Sequence, residues 1–274
     1  MSISIQTNVA SMVAQNHLAS TQNALATTFA RLSSGMRING AADDAAGLGI
    51  SKSLNAQVRS YGVAQRNAND GISMAQTADG AAEQIHGMLT RMRELAVQGA
   101  NGTLSASDST NLNTEFSGIM SEIDRVANVT SFNGKNLLAG AASTVTFQVG
   151  INNTANDRIS VVFGGGDSTG LGITGLAVGS TAGAQAAIGT IDTAIQNLST
   201  VREGFGSAQN RLTTAVSALQ TMATNTSASL SRIQDVDIAS ETSAMAREQV
   251  LSQAGASVLS QANQAPQLAL SLLR

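Results

Sequence analysis

Nothing in this sequence can form a disulfide. Its 274 residues include no cysteine, which also removes thiolate catalysis and cysteine-ligated metals. Tryptophan is absent and aromatics make up 3% of the chain, too few for the aromatic core of a typical enzyme. Proline occurs once, at Pro266. No apolar run approaches the roughly 18–20 residues of a membrane span, so no membrane insertion is expected. The formal net charge is -3 and Lys and Arg are not clustered, which argues against a nucleic-acid surface. The opening stretch MSISIQTNVASMVAQNHL lacks a basic n-region and an unbroken apolar h-region. It is not expected to act as a secretory signal peptide, so any export would take another route.

Charge is missing from both ends. No Asp, Glu, Lys or Arg precedes Arg31, and none falls between Glu248 and Arg274. Disordered tails are usually charged or rich in Pro and Gly, and poor in aliphatics. These ends instead carry spaced aliphatics in an Ala, Gln, Asn and Ser background. Leu18, Leu25 and Leu32 recur every seven residues with Phe29 between, and Leu251, Ala254 and Val258 continue the theme. The closing NQAPQLALSLLR adds Leu268, Leu270, Leu272 and Leu273. Short isolated helices are marginal in water. Such segments become favourable when several chains bury one another's apolar stripes.

Between the ends the periodicity is helical. Ala78, Ala81, Ile85, Met88, Met92 and Leu95 step by three and four, as do Leu112, Phe116, Ile119, Ile123 and Val126. Phe205, Ala208, Leu212, Ala215, Leu219 and Met222 hold the same register, which extends through Thr226 to Ile233. From about 131 to 183 the chain turns to Gly, Ser, Thr and Asn. There Val145, Phe147 and Val149, then Ile159, Val161 and Phe163, alternate with polar residues as strands do, and Asn133-Gly134 is a turn dipeptide. A helix over 184–233 would measure roughly 75 Å. It either breaks, with Gly204 and Gly206 the candidate points, or belongs to an elongated molecule, which is the expectation. The fold class expected is mainly α: an elongated rod of long antiparallel helices with coiled-coil termini and a small central β-rich insert.

Catalysis finds little support. Asp43-Asp44 has no nearby His or third acid, so these carboxylates are expected to accept backbone N–H bonds at a helix boundary. Asp235 and Asp237 are expected to mark the break between the long helix and the terminal one. His17 and His86 are the only histidines, and GAAEQIHGM carries no second His at the zinc-motif spacing. Gly164-Gly165-Gly166 lacks the Lys-Ser/Thr ending of a phosphate loop and reads as a turn. No catalytic residue, metal or cofactor is expected.

At LSSGMRINGAADDAAGLGIS (32–51) the sequence stops being generic: the run resembles the signature of bacterial flagellin. The similarity continues through QRNANDGISMAQTADGA (65–81), RMRELAVQGANGT (91–103) and EIDRVANVTSFNGKNLL (122–138), and resumes in the stretch from Gln234 to Arg274. The resemblance implies a structural subunit, exported unfolded, that polymerises into the extracellular flagellar filament used for swimming. It implies three regions: residues 1–40 with 236–274 as an inner coiled-coil domain, 41–138 with 184–235 as a helical rod, and 139–183 as a short variable insert. Leu18, Leu25, Phe29, Leu32, Leu251, Ala254, Val258, Leu268 and Leu272 would form the terminal assembly core. Implied partners are other copies of the chain, the flagellar export apparatus and its chaperone, and hook-associated and cap proteins. Arg91, Leu95 and Glu115 match positions recognised by the vertebrate innate flagellin receptor, and Arg91 and Leu95 are i and i+4 on one helix. A hook–filament junction protein remains an alternative, as does a signalling coiled coil.

Overall fold

The computed structural model describes residues 7–271, with side chains described up to Gln264. In chain order these are α1 (Val9–Ser34), α2 (Ala45–Gly99), α3 (Ala106–Val129), β1 (Ser131–Phe132), β2 (Lys135–Asn136), β3 (Ser143–Gln148), β4 (Arg158–Phe163), α4 (Thr181–Gln234) and α5 (Ile238–Ser271). The protein is mainly helical, with two small antiparallel sheets, β1–β2 and β3–β4. α4 runs unbroken through Gly204 and Gly206, around whose Cβ positions lies open space.

The chain divides into two compact units, Met1–Ala56 with Asn225–Arg274, and Gln57–Thr224. The second unit has a continuous core. Its largest fully buried side chains include Phe116, Phe163, Phe205, Ile85, Leu89 and Met92, and the rings of Phe163 and Phe205 stack with centroids 5.4 Å apart. The three-and-four stepping positions of α2, α3 and α4 supply most of this core, which is why those segments are helical. Met222 departs from that pattern and is half exposed.

The β insert is built from the alternation in the sequence. β3 pairs with β4 from Ser143↔Phe163 to Gln148↔Arg158, burying Ile159, Val161 and Phe163 on the core side. β1 and β2 close over Asn133 (φ 48°) and Gly134 (φ 77°), the two positive φ values that a tight hairpin requires. Gly164, Gly165 and Gly166 form a turn whose N–H groups donate to the carbonyls of Leu137, Gly140 and Leu138. The segment after it carries no strand or helix period, yet buries Leu171, Ile173 and Val178. Asp124 holds that segment, accepting from Ser168 N at 2.8 Å and Ser168 Oγ at 2.9 Å.

The helix boundaries fall where the acids stand. Asp43 Oδ2 accepts from the N–H groups of Asn39 and Gly40, and these bonds hold its carboxyl below the usual range. Asp44 Oδ1 accepts from Gly47 N at 2.8 Å at the start of α2. Asp237 Oδ1 accepts from Ala239 N at the start of α5, and Asp235 lies in the break between α4 and α5. Ser105 and Asp108 form a reciprocal capping box on α3.

Candidate self-association surface

The first unit is organised by α1 and α5, which lie antiparallel. Asn8 caps α1, accepting from Ser11 N at 3.1 Å, while its Nδ2 donates to Ala262 O at 2.8 Å. Ser11 Oγ donates to Asn263 Oδ1 at 2.7 Å. Farther along, Leu18 lies over Gly255, where an added Cβ would come 3.4 Å from Leu18 Cδ1. At the other end α1 stops at Gly35, whose φ of 70° suits a helix C-terminus that glycine adopts without strain. Met36 then bridges Asp235, and Arg37 donates through its backbone N to Gln234 O at 2.6 Å and through Nη2 to Ile233 O at 2.7 Å.

Little apolar surface is buried in this seam. Among the described residues of the unit, Ala14 and Ile38 are the buried hydrophobics; Ser11, Thr28 and Ser51 are the buried polar side chains. Leu18, Leu25 and Leu32 are only half-buried. Among the described residues the seam has one ion pair, Arg31 to Glu241, loose at 3.7 Å, and Arg31 Nε and Glu241 Oε1 are buried without a hydrogen bond. Burying such groups without a hydrogen bond is unfavourable.

The sequence-predicted C-terminal residues lie elsewhere. Among the described residues the half-buried positions of α5 are Glu241, Ala244, Met245, Glu248, Ser252, Gly255, Leu259 and Ala262. Leu251 is one residue off that stripe, hence about 100° around the helix. Val250, Leu251, Ala254 and Val258 therefore share a separate face, with Val250 69% and Val258 54% exposed. Phe29 on α1 is 57% exposed. The structure thus brings Leu18, Leu25 and Leu32 into the helix pair and leaves Phe29, Leu251, Ala254 and Val258 outside it. Leu268 and Leu272 lie outside the residues whose side chains are described.

Arg91 and Glu115 are brought together on the second unit. Arg91 Nη2 donates to Glu115 Oε1 at 2.8 Å, and Nη1 to Glu94 Oε2 at 2.9 Å. These bonds, that to Glu94 foremost, raise the guanidinium pKa. Leu95 does not share their surface: it is 1% exposed, turned into the core beside Met92, so the shared-face expectation is corrected at this residue. Tyr61 and Arg211, which no sequence pattern singled out, line a groove bounded by α2, α4 and the loop joining β3 to β4. No helix among the described residues is long and apolar enough to cross a membrane, and no group of three potential metal ligands occurs among them.

Two sparsely charged helices that hold each other weakly while exposing an apolar face suit association with other chains. Comparison with known proteins points the same way. The family profile described as bacterial flagellin N-terminal helical region matches residues 5–143, and the flagellin C-terminal helical region matches 188–273. The chain is 39% identical over 270 residues to a flagellin of Halalkalibacterium halodurans, covering 98% of this chain and 99% of the relative. It is 35% identical to Flagellin C of Vibrio cholerae across 100% of both chains, in an alignment of 376 positions. The crystal structure of Bacillus cereus flagellin is 34% identical with a TM-score of 0.50, covering 60% of this chain and 94% of that one. The junction and signalling alternatives are not favoured by these matches. The chain belongs to the bacterial flagellin family, and is a structural subunit of the flagellar filament.

Proposed function

We propose that α1 and α5 drive assembly: each subunit buries its terminal helices against those of neighbouring copies, so that folding of this region is completed in the polymer. The observation that carries this reading is the poverty of the first unit's core beside the exposed face of Val250, Leu251, Ala254 and Val258. Burial of apolar area is the dominant favourable term in association, and contiguous exposed apolar patches mark contact sites. Phe29, together with Leu268 and Leu272, joins the assembly core in this reading.

Before assembly the chain passes unfolded through the flagellar export apparatus, with a chaperone covering α5 in the cytoplasm. A helix with so little of its own to pack against is a ready chaperone ligand. Hook-associated proteins and a cap bound the growing polymer, outside the cell. Seeded assembly tests the reading. Monomer is added to short filament fragments and imaged by electron microscopy, beside a version ending at Glu248. The intact monomer extends the seeds and the shortened one does not; equal extension by both would sink the proposal.

The vertebrate innate flagellin receptor is a further partner, favoured by one observation: Arg91 and Glu115 pair on an exposed surface over the buried Leu95. Receptor signalling by monomer carrying Arg91→Ala is expected to fall at least tenfold relative to the parent. Equal signalling, or none from either, refutes it.

A further inference from the structure

Asparagine followed by glycine occurs three times in the chain, at Asn39-Gly40, Asn101-Gly102 and Asn133-Gly134. The pair is chemically distinctive because glycine presents its amide nitrogen with no Cβ to shield it. That nitrogen can attack the carboxamide carbon of the preceding asparagine when both groups are free to meet. The fold treats the three pairs differently.

Asn39-Gly40 is tied at both reacting groups. Gly40 N donates to Asp43 Oδ2 at 3.0 Å, and Asn39 Nδ2 donates to Ala30 O at 3.0 Å. Asn39 N is held by the same Asp43 oxygen. Asn101-Gly102 is tied at one: Asn101 Oδ1 accepts from Thr103 N at 3.4 Å. Asn133-Gly134 is tied at neither. Both residues are exposed, and a Cβ added to Gly134 would meet open space. Neither the Gly134 N–H nor the Asn133 carboxamide has a hydrogen-bond partner among the described residues.

The backbone around Asn133 also opens readily. The hairpin of β1 and β2 is two pairs long, Ser131↔Asn136 and Phe132↔Lys135, and so short a ladder is marginal on its own. Ring closure requires Asn133 to leave its left-handed conformation (φ 48°), which a non-glycine residue keeps only where a turn holds it.

We infer that Asn133 is a site of spontaneous deamidation and backbone isomerisation. Gly134 N attacks Asn133 Cγ and forms a new C–N bond. The bond from Cγ to Nδ2 breaks, and Nδ2 leaves as ammonia with the proton that Gly134 N gives up. A five-membered succinimide remains. Water opens it at either carbonyl, giving aspartate or an isoaspartate whose main chain runs through Cβ and Cγ. The reaction consumes water alone and needs no partner.

Isoaspartate lengthens the main chain of a two-residue turn by one carbon, which disturbs the Phe132↔Lys135 register. The hairpin leads directly into Leu137 and Leu138, both fully buried, whose carbonyls accept from Gly164 N and Gly166 N at 2.8 Å each. Modification at an exposed tip therefore reaches the core of the second unit.

The test follows the full-length monomer through incubation at mildly alkaline pH, with peptide mapping by mass spectrometry. Asn133 is expected to convert fastest of the three sites, at least tenfold faster than Asn39. In denaturant, where the fold no longer protects, those two rates should come within about threefold of each other. A native rate at Asn133 below that of either other site overturns the inference. So does a tenfold difference that persists in denaturant, because local sequence and not the fold would then set it. In parallel, Asn133→Gly keeps a residue suited to the left-handed turn and removes the carboxamide. Aged wild-type monomer is expected to melt several degrees below fresh protein, and the aged variant is not. Equal loss in both would sever the link between the tip and the core.

Discussion

The two units of this chain are made of the same kind of helix and differ in what they bury. Residues 57–224 enclose three phenylalanines and a continuous aliphatic core, braced by side-chain ion pairs such as Arg202 to Asp79 at 2.8 Å and Arg93 to Asp192 at 2.6 Å. The unit built on α1 and α5 encloses Ala14, Ile38 and a few hydroxyls, and leaves its larger aliphatics half-buried or exposed. One region is stable through its own interior. The other has the pattern of a folded helix pair without the interior to match, which is the state expected of a segment whose remaining contacts come from neighbouring subunits. Small residues such as Ser252 and Gly255 allow the helices to approach; they contribute little apolar burial.

The comparison can be broken at either side. The largest effect on folding should come from Phe116→Ala, which is expected to cost about 3–5 kcal/mol, read as a fall in the monomer's melting transition. In the weak unit Leu251→Glu should leave that transition within about 0.5 kcal/mol of the parent. It should nevertheless reduce filament elongation more than tenfold, since a charge would enter an apolar contact. Leu25→Ala should cost the monomer about 1 kcal/mol or less because the side chain is only half-buried, with a larger effect on elongation. If it destabilised the monomer as much as Phe116→Ala, the two units would not differ as described.

A finer prediction concerns pH. Arg93 holds the Asp192 carboxyl below its ordinary value, and Arg125 does the same for Glu122. Their contribution is present above the unfolded carboxylate pKa and is lost as pH falls through the depressed folded values, below about pH 4. These groups are exposed, so the effect is small. Replacing Asp192 with Asn should flatten a shallow acid limb of monomer stability, measured by denaturant titration between pH 5 and 2. An unchanged limb would mean the pair contributes nothing.

Much of the second unit was legible in sequence. Ile85, Met92, Phe116, Phe205 and Leu212 sit on clean three-and-four periods and are buried; Ile159, Val161 and Phe163 alternate and face the core. Asn133-Gly134 and the acids at 43–44 and 235–237 specify local backbone chemistry that needs no knowledge of the fold. The seam of α5 was not legible for a physical reason. Periodicity picks the most apolar stripe, here Leu251, Ala254 and Val258, whereas the seam is lined by Ser252, Gly255 and Leu259, chosen for size as much as hydrophobicity. Leu171, Ile173 and Val178 were hidden likewise. They are buried from a segment with no regular period, held by Asp124, forty-four residues from Ser168 in the chain. Tyr61 and Arg211 become neighbours of one groove only through the packing around β3 and β4, which no local pattern encodes.

The central claim is that the α1–α5 unit lacks stability of its own and acquires it in the polymer. Amide hydrogen exchange read by mass spectrometry, on monomer and on seeded filaments, tests this directly. In the monomer, amides of α1 and α5 should exchange at least about a hundredfold faster than those between Ile85 and Ala96, and in the filament they should become comparably protected. Equal protection of both regions in the monomer would contradict the account, because the terminal helices would then be stable without neighbours.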